Sequence, residues 1–345
     1  MFVDAARMAP GPVCDEEFKA MGIRSWLRQS MVLLAGCCAV WSGAGAQTLS
    51  MGVSDGPVSL PIYVAQANGY FEREGLNLSI HSCSSGRDCY KKMADGTVQI
   101  ATAAELIATL NSFNRQDLAF IATISASSSQ IKIVARRSAG IATASQVAGK
   151  RVGTVQGSSA AYFLTRWLSS NNPNARDSRL VPLEPGNVVA ALQRGDIDAA
   201  AIWEPVASHA FAALGSNGLL LENPALYTQQ FGLIVSRALI KAQEADLLKL
   251  LRGLLQAERF IAEQPEKAEQ VLMARLGGTR AQAAAQMREH AYRLGLDVSL
   301  AETMDGQARW AIQEVQVQPK PDTLLHVIEP ALLRKVAPEA VQLRY

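Results

Sequence analysis

The chain has 345 residues, of which 49% are hydrophobic, so it can bury the core of one large domain or of two ordinary ones. Its 33 basic and 31 acidic side chains leave a formal net charge of +2, with the two signs mixed along the chain. This balance argues against a nucleic-acid or other polyanion partner. The 4 histidines are far apart in sequence, so we predict neither a metal site nor a cofactor.

The first predicted element is an export signal. Two arginines precede an apolar run at 31–41, and small residues follow it up to Ala46, which is the layout of a secretory signal peptide cleaved after that alanine. The run is far shorter than the roughly 20 residues of a membrane-spanning helix. Acidic residues near the start suit a signal peptide poorly, which leaves Met21 as an alternative translation start.

The same apolar run offers a second outcome. Residues 34–37 read LAGC, which looks like a bacterial lipoprotein box and would leave Cys37 lipidated. We expect cleavage after Ala46 instead, because the apolar region before Cys37 would be short. Both outcomes predict a periplasmic protein, free in the first case and lipid-anchored in the second.

Export leaves two cysteines, Cys83 and Cys89, in the mature chain. In an oxidising compartment, an even pair in a short loop of Ser, Gly and Asp predicts a disulfide. Two free thiols are the alternative. The spacing excludes a CxxC redox pair, so we do not expect a redox catalyst.

From Thr48 onward, strand and helix patterns alternate. The predicted strands are 49–53, 76–80, 98–102, 119–124, 131–136, 151–155, 179–183 and 197–202. The first predicted helix has Ser59 as its N-cap and extends to 67. Further helices are predicted around 90–94, over 105–113, directly after Ser158 and near 188–194. From 245 to the end only helical periodicity remains. Strands separated by helices predict parallel pairing in doubly wound α/β sheets.

Two serines follow the strand at 151–155. Gly157, Ser158 and Ser159 open the next helix, and in such sheets ligands bind where strands end and helices begin. The free amides of a first helical turn, together with two hydroxyl donors, predict a receptor for an anionic or strongly accepting group. The alternative is plain helix capping, which needs no ligand.

A second candidate cluster lies directly after the predicted strand 197–202, which is rich in small residues. Trp203 and Glu204 place a flat aromatic face and a carboxylate at that strand end, and Pro205 suits a helix start. The alternative puts Trp203 in the core and leaves Glu204 as a favourable charge at a helix N-terminus.

One motif points toward an enzyme. Residues 52–56 read GVSDG and match the G-x-S-x-G nucleophile elbow around Ser54. That elbow needs a helix directly after its serine, whereas Pro57 and Ser59 delay the helix here. We therefore expect no catalysis by Ser54 and predict that the protein is not an enzyme.

Five stretches together resemble the nitrate/sulfonate/taurine-type substrate-binding proteins of bacterial ABC importers. They are 63–80, 93–103, 147–164, 191–207 and 231–237, in that family's order and spacing. The resemblance implies a type II periplasmic-binding-protein fold, in which two doubly wound α/β lobes are joined by two crossover strands and completed by a helical C-terminal tail. The loop CSSGRDC also looks like a pattern in one branch of this family.

The resemblance also implies domain limits. After the leader at 1–46, it gives the first part of lobe 1 at 47–130, lobe 2 with the crossover strands at 131–235, and the completion of lobe 1 with the C-terminal helices at 236–345. The crossover strands are expected near 129–136 and 229–236.

The function that the resemblance implies is that of a solute-binding subunit. Ligand is expected between the lobes, and the closed form is expected to deliver it to a membrane permease driven by an ATPase. We expect the protein to be a monomer. Carried over position by position, Ser158 and Ser159 match the family's binding-loop serines, and Trp203 and Glu204 match its second-lobe aromatic and acidic contacts.

One departure from the family bears on the ligand. Many relatives have histidine two places after the second serine, where this chain has Ala161, which argues against a small oxyanion such as nitrate. A carboxylate at Glu204 would also repel a bare anion and favour a ligand with an amine or an N–H edge. We predict a small polar organic ligand, either an aminosulfonate similar to taurine or an aminopyrimidine.

The first lobe offers further candidates. The loop 55–59 and the hydroxyl-rich run 125–130 are expected to face the cleft, with Asp55, Ser127 and Ser128 as candidate ligand contacts. For any one of these serines, a solvated loop position is the alternative.

Two other functions use the same fold. One is an enzyme, but pyrimidine-precursor synthases that resemble this family carry a cysteine-rich motif, which a mature chain with only Cys83 and Cys89 lacks. Dehydratases of this fold normally lack an export signal. The other is an exported receptor that passes its ligand to a sensor domain, an alternative that stays open.

Overall fold

Two separate five-stranded sheets organise the part of the chain that the structure describes. The computed structural model describes residues 48–171, 178–221, 226–315, 317 and 326–343. The predicted leader at 1–46, with Met21 and Cys37, lies outside these residues. The strands are β1 (Leu49–Ser54), β2 (Leu78–Cys83), β3 (Ile100–Ala104), β4 (Leu118–Ser127), β5 (Ile131–Arg136), β6 (Arg151–Thr154), β7 (Arg179–Pro182), β8 (Ala199–Trp203), β9 (Gly218–Leu221), β10 (Gln229–Ser236), β11 (Leu296–Asp297) and β12 (Val341–Gln342).

The chain passes between the two sheets twice. The first sheet has the order β2-β1-β3-β10-β4 and the second the order β7-β6-β8-β5-β9. The chain leaves the first sheet between β4 and β5 and returns between β9 and β10. We call the first sheet with its helices the first lobe (48–127 and 229–343) and the second sheet with its helices the second lobe (131–221).

Helices fill the intervals between the strands and make up most of the C-terminal part. They are α1 (Leu60–Ala67), α2 (Tyr70–Arg73), α3 (Gly86–Ala94), α4 (Glu105–Ser112), α5 (Ser159–Asn171), α6 (Val188–Arg194), α7 (Val206–Leu214), α8 (Arg237–Ala242), α9 (Glu244–Glu263), α10 (Pro265–Leu276), α11 (Arg280–Arg288), α12 (Val298–Trp310) and α13 (Ala331–Val336). The predicted alternation of strand and helix is thus present through β8.

Parallel pairing is confirmed for the first three strands of the first lobe and for β6, β7 and β8 of the second. β1 pairs in parallel with β2 and β3, and β6 with β7 and β8. The prediction is wrong for β5 and β10, which pair antiparallel with both of their neighbours. Each of these two strands enters its sheet directly from the other sheet. Because no helix returns the chain to the same sheet edge, nothing imposes the parallel direction.

The first helix begins and ends where the sequence predicts. α1 follows Ser59 and ends at Ala67, Asn68 is its C-cap, and Gly69 takes the left-handed conformation with φ 66°. The Ser59 side chain does not cap the helix, because its Oγ donates to the Ser54 carbonyl oxygen at 2.7 Å. That bond ties the start of α1 to the end of β1.

The C-terminal helices complete the first lobe. α9 places Leu247, Leu251 and Leu254 in the core at 0% exposure, and it packs against α1, α2 and α13. The apolar face predicted for this segment is therefore confirmed. The prediction of helix alone fails at β11 and β12, a short parallel pair. Among the described residues, no helix is both long and apolar enough to cross a bilayer.

Each lobe has its own apolar core. In the second lobe, Trp167 of α5 packs on one side of the sheet and Leu192 of α6 on the other. Leu106 of α4 and Tyr227, which precedes β10, belong to the α5-side core of the second lobe. These two residues therefore fasten the lobes together beside the returning segment of the chain.

β10 runs between β3 and β4 and leaves no room for a side chain at Gly232. A Cβ there would overlap the Ala122 carbonyl oxygen and the Phe120 ring. The register of β10 against β4 also shifts at this glycine. The close approach of the two strands therefore requires glycine.

Candidate functional site

A cleft lies between the two lobes, where the parallel strands of both sheets end. The volume open to the centre of a water-sized molecule in this cleft is about 50 Å³. Ligands of open α/β sheets bind at this position. Of the predicted ligand contacts, the residues that line this cleft are Asp55, Ser158, Ser159, Trp203 and Glu204.

The second-lobe wall is the first turn of α5. Ser158 Oγ donates to the Val155 carbonyl oxygen at 2.6 Å, and Ser159 Oγ donates to Gln229 Oε1 at 2.7 Å. Both hydroxyl hydrogens are therefore used inside the protein, and the hydroxyls present lone pairs to the cleft instead of the predicted donors. The donors of this wall are the backbone N–H groups of the first turn, which have no partner within the helix.

The first-lobe wall is the disulfide loop, residues 83–89. The second half of this loop is the first turn of α3. Cys83 and Cys89 form a disulfide with their Cα atoms 5.3 Å apart, so the predicted pairing is confirmed. Ser85 caps α3, because its Oγ accepts the hydrogen of Asp88 N at 3.2 Å. Gly86 and Arg87 of the first turn of α3 line the cleft, and their backbone N–H groups have no partner within the helix.

Arg87 joins the two walls. Its Nη1 donates to the Gln156 carbonyl oxygen at 3.0 Å, and its Nη2 donates to Glu184 Oε1 at 3.2 Å. Arg87 belongs to the first lobe, whereas Gln156 and Glu184 follow β6 and β7 of the second. We call these three residues the mouth bridge, since the contacts of the Arg87 side chain with the other two span the opening of the cleft.

Glu204 lies at the inner end of the cleft and is not a free charge. Its side chain has 1% exposure, Oε1 lies 3.1 Å from Lys132 Nζ, and Oε2 accepts from Ser208 N at 3.0 Å. Lys132 Nζ also donates to both oxygens of Glu289 in the first lobe, at 2.8 and 3.0 Å. We call Lys132, Glu204 and Glu289 the hinge bridge. Burial lowers the pKa of Lys132, but the hydrogen bond to Glu289 and the charge of Glu204 outweigh it and hold the pKa above its ordinary value.

The carboxylates of the cleft all have cationic partners. Asp55 Oδ1 accepts from Arg275 Nη2 at 2.7 Å, and the other two pairs belong to the mouth bridge and the hinge bridge. The repulsion of an anion expected from an unpaired Glu204 is therefore reduced, because Lys132, which Glu204 shares with Glu289, lies 3.1 Å from its Oε1. The part of the chain that the structure describes holds no group of three His, Cys, Asp or Glu side chains arranged for a metal ion.

Ser127 and Ser128 are not among the residues that line the cleft. Ser127 Oγ donates to the Glu289 carbonyl oxygen at 2.6 Å and accepts from Ser129 N at 3.1 Å. Its hydroxyl therefore fastens the segment between β4 and β5 to the first lobe. Of the predicted run 125–130, Gln130 is the residue that reaches the cleft.

Gln130 is held by side chains and backbone of both lobes. Its Nε2 donates to the Glu204 carbonyl oxygen at 3.2 Å, and its Oε1 lies 2.8 Å from His290 Nε2. His290 Nδ1 lies 2.6 Å from the Gln286 carbonyl oxygen. Burial lowers the pKa of His290 to about 4, so the ring is neutral near pH 7. The first crossing of the chain is thus fixed by a buried polar network.

A second buried cluster lies where α4 meets the returning segment before β10. The Glu105 carboxylate accepts hydrogen bonds from the Tyr227 hydroxyl, from Gln307 Nε2 at 2.6 Å and from Gln230 N at 2.9 Å. Burial raises the pKa of Glu105 to about 7 despite these bonds. Tyr227 packs edge to face on Tyr162 of α5, with ring centroids 5.3 Å apart. This cluster therefore links the lobes at the second crossing.

Among the polar residues that line the cleft, the sequence analysis did not single out Arg87, Glu184 and Gln229. A partial signal exists for Arg87, because it lies between two cysteines predicted to pair. Gln229 opens a predicted crossover strand, where side chains of both lobes converge. Glu184 follows β7, and no sequence pattern marks the end of that strand as part of a site.

Two α/β sheets, two crossings of the chain and a cleft at the carboxyl ends of the strands define a two-lobed ligand-binding protein. The predicted type II periplasmic-binding-protein fold is confirmed by comparison with solved structures. The alkanesulfonate-binding protein SsuA from Xanthomonas axonopodis pv. citri, solved with bound MOPS, matches with a TM-score of 0.71 at 19% identity, over 82% of this chain and 98% of its own.

A profile of the NMT1/THI5 like family matches residues 56–268, more than half of the chain, and the protein belongs to this family. The predicted resemblance is therefore confirmed. The taurine-binding periplasmic protein of Escherichia coli (strain K12) is 26% identical over 177 residues, which span 51% of this chain and 53% of that protein. The chain thus spans about half the length of that relative.

The same fold also occurs in an enzyme. The desulfurization enzyme DSZB matches with a TM-score of 0.60 at 16% identity, over 84% of this chain and 98% of its own. Because the fold hosts both binding proteins and an enzyme, the function must be argued from the cleft itself.

Proposed function

We propose that this protein is the extracytoplasmic solute-binding subunit of an ABC importer, located in the periplasm, and that it captures a small organic sulfonate between its lobes. The observation that carries the proposal is the cleft, to which α3 and α5 bring the backbone donors of their first turns from opposite lobes. Membership of the NMT1/THI5 like family and the similarity to taurine- and alkanesulfonate-binding proteins support it.

The ligand class follows from the hydrogen-bonding groups of the cleft. A sulfonate has three acceptor oxygens, which suit the amide donors of helix N-termini. An ammonium group at the other end would be accepted by the lone pairs of Ser158 and Ser159 and by the carboxylate of Glu184. Because the cleft carboxylates are paired with cations, a zwitterion such as taurine, with no net charge, disturbs this balance least.

An aminopyrimidine is the second candidate ligand. The observation that favours it is the half-buried ring of Trp203 on the cleft wall, since a flat heterocycle can stack on an indole. Such a ligand would use N–H edges rather than charged oxygens. The two candidates differ in mass and in charge, so one binding experiment separates them.

The proposed mechanism is a population shift between open and closed lobes. A ligand that contacts both α3 and α5 makes part of its contacts only when the lobes are closed, so binding favours closure. The closed monomer then docks on a membrane permease whose transport is driven by an ATPase subunit. Genes for a permease and an ATPase beside this one would support the importer over a receptor that feeds a sensor.

An enzymatic function on this fold is not favoured by the serine contacts. A nucleophilic serine needs a general base to accept its hydroxyl hydrogen. Ser158 and Ser159 donate instead to a backbone carbonyl oxygen and to an amide oxygen. Ser54, in the elbow-like motif, is followed by a 3-10 turn at Pro57–Ser59, so α1 begins too late for a nucleophile elbow.

Native mass spectrometry of the protein purified from periplasm tests the proposed function. We expect a co-purifying small molecule that is lost after partial unfolding and dialysis, with the mass of an organosulfonate. Calorimetric titration of the dialysed protein with taurine, an alkanesulfonate, an aminopyrimidine and nitrate then identifies the class. Binding of nitrate alone, or of none of the four in the absence of any adduct, would contradict the proposal.

A substitution in α5 tests the cleft as the binding site. Ser159→Ala removes one acceptor and leaves Gln229 Oε1 without its donor, so we expect taurine affinity to fall about three- to tenfold. Ser169→Ala changes an exposed serine on the same helix and serves as the control. Equal affinity of wild type and Ser159→Ala would mean that this serine only shapes the start of the helix.

A further inference from the structure

The arginine between the two cysteines has little backbone freedom. The disulfide loop is closed by a bond between two buried cysteines. Gly86 lies so close to β3 that a Cβ there would stand 2.8 Å from Ala103 Cα. Asp88 Oδ2 accepts from Ser84 N at 2.9 Å and so fixes the turn from its other side. The loop therefore fixes the backbone position of Arg87 independently of any contact with the second lobe.

From that position the guanidinium reaches two loops of the second lobe. The loop after β6 supplies the Gln156 carbonyl oxygen, two residues before the Ser158 that lines the cleft, and the loop after β7 supplies the Glu184 carboxylate. Guanidinium groups hold two acceptors at once because their donors form a fixed planar fork. The mouth bridge therefore ties both loops of the second lobe to one rigid loop of the first, and the mouth cannot open without breaking it.

We propose that Arg87 is a positioning residue that clasps the two lobes over the cleft, and that the disulfide loop holds it in place for this role. The proposal rests on the proposed function in one respect, because a clasp retains a ligand only if the cleft binds one. The closure of the lobes can nevertheless be measured without any ligand, which keeps the two proposals separable.

Single-molecule energy transfer between one dye on each lobe measures the closed fraction of the ligand-free protein. The dyes are attached through non-canonical amino acids, so that the disulfide is left intact. For Arg87→Ala and for Glu184→Gln we expect the closed-to-open ratio to fall about two- to fivefold, the range of an exposed ion pair. Arg194→Ala, which breaks an exposed ion pair within the second lobe, is the matched control and should leave the ratio unchanged.

Two further measurements separate a clasp from a merely structural role. Exchanging the charges, with Arg87→Glu and Glu184→Arg in one chain, should restore part of the closed fraction that Arg87→Glu alone loses. Replacing the disulfide by Cys83→Ala with Cys89→Ala should lower the closed fraction of a chain that has Arg87. In a chain that already carries Arg87→Ala, the same replacement should leave the closed fraction unchanged, because the clasp is then already absent. Circular dichroism checks that each variant is folded.

Two outcomes contradict the clasp, and a third separates it from the proposed function. An unchanged closed-to-open ratio in folded Arg87→Ala would show that the mouth bridge does not hold the lobes. A loss of taurine affinity at an unchanged ratio would make Arg87 a ligand contact instead. If no ligand binds but the ratio falls as expected, the clasp stands and only the proposed ligand class is wrong.

Discussion

The hinge bridge and the mouth bridge both join the two lobes, but they differ in burial. In the hinge bridge, the pair that joins the lobes is Lys132 and Glu289, whose side chains are 8% and 29% exposed, whereas those of Arg87 and Glu184 in the mouth bridge are 47% and 70% exposed. A charge left unpaired in a buried site is strongly unfavourable, whereas water and salt screen an exposed pair. The hinge bridge is therefore suited to stay formed, and the mouth bridge to break and form as the cleft opens and closes.

The largest expected effect is at the hinge bridge. Lys132→Met leaves Glu204 buried without its cation, so we expect the free energy of unfolding to fall by about 3 kcal/mol. Urea unfolding at pH 7 measures it. Adding Glu204→Gln to the same chain removes the unpaired charge and should recover part of the loss. A loss under about 1 kcal/mol for the single variant would mean that the hinge bridge is no stronger than a surface pair.

The Glu105 cluster extends the comparison to a buried acid that has no cation among its hydrogen-bond partners. The pKa of Glu105 is raised from 4.5 to about 7, so folding favours the protonated carboxyl. Its contribution to the free energy of unfolding is therefore fully present below about pH 4.5. As the pH rises to about 7 and beyond, we expect a loss of about 2–3 kcal/mol.

Urea unfolding at pH 5 and at pH 8 checks the Glu105 prediction. Glu105→Gln cannot ionise and should lose most of this difference, whereas Glu302→Gln, an exposed position on α12, should keep it. The same pH dependence in Glu105→Gln and in wild type would show that another group is responsible.

The smallest expected effect on stability is at the mouth bridge. Arg87→Ala should lower the free energy of unfolding by less than about 1 kcal/mol, because both partners are largely solvated. Raising the salt concentration should shrink even this difference. If Arg87→Ala destabilised the fold as much as Lys132→Met, the two bridges would not differ and the comparison would fail.

Much of the architecture follows from the sequence because strand and helix periods are local. Three helices, α1, α6 and α9, lie close to where they were predicted, and so does the start of α5 at Ser159. The disulfide also joins the predicted pair of cysteines. The antiparallel direction of β5 and β10 could not be predicted, because it depends on how the chain crosses between sheets and not on local pattern.

The site was harder to predict than the fold because the ion pairs and hydrogen bonds of a polar side chain decide whether it presents a charge, a donor or an acceptor to a ligand. Glu204 suggests a free carboxylate until Lys132, 72 positions earlier in the chain, is found beside it. The hydroxyls of Ser158 and Ser159 suggest donors until their hydrogens are found on other acceptors. Arg87 gains its importance only from loops that are distant in sequence. Apart from the local bond between Ser158 and Val155, these contacts are made by the tertiary fold.

The location of a bound sulfonate is the most direct test of the proposed function. We would crystallise the protein with taurine and collect data at a wavelength where sulfur scatters anomalously, with the methionine and cysteine sulfurs as internal standards. The account predicts an additional sulfur peak in the cleft, with its oxygens within hydrogen-bond distance of the first-turn amides of α5. An empty cleft at saturating taurine, or a peak elsewhere on the protein, would contradict the assignment of this cleft as an organosulfonate site.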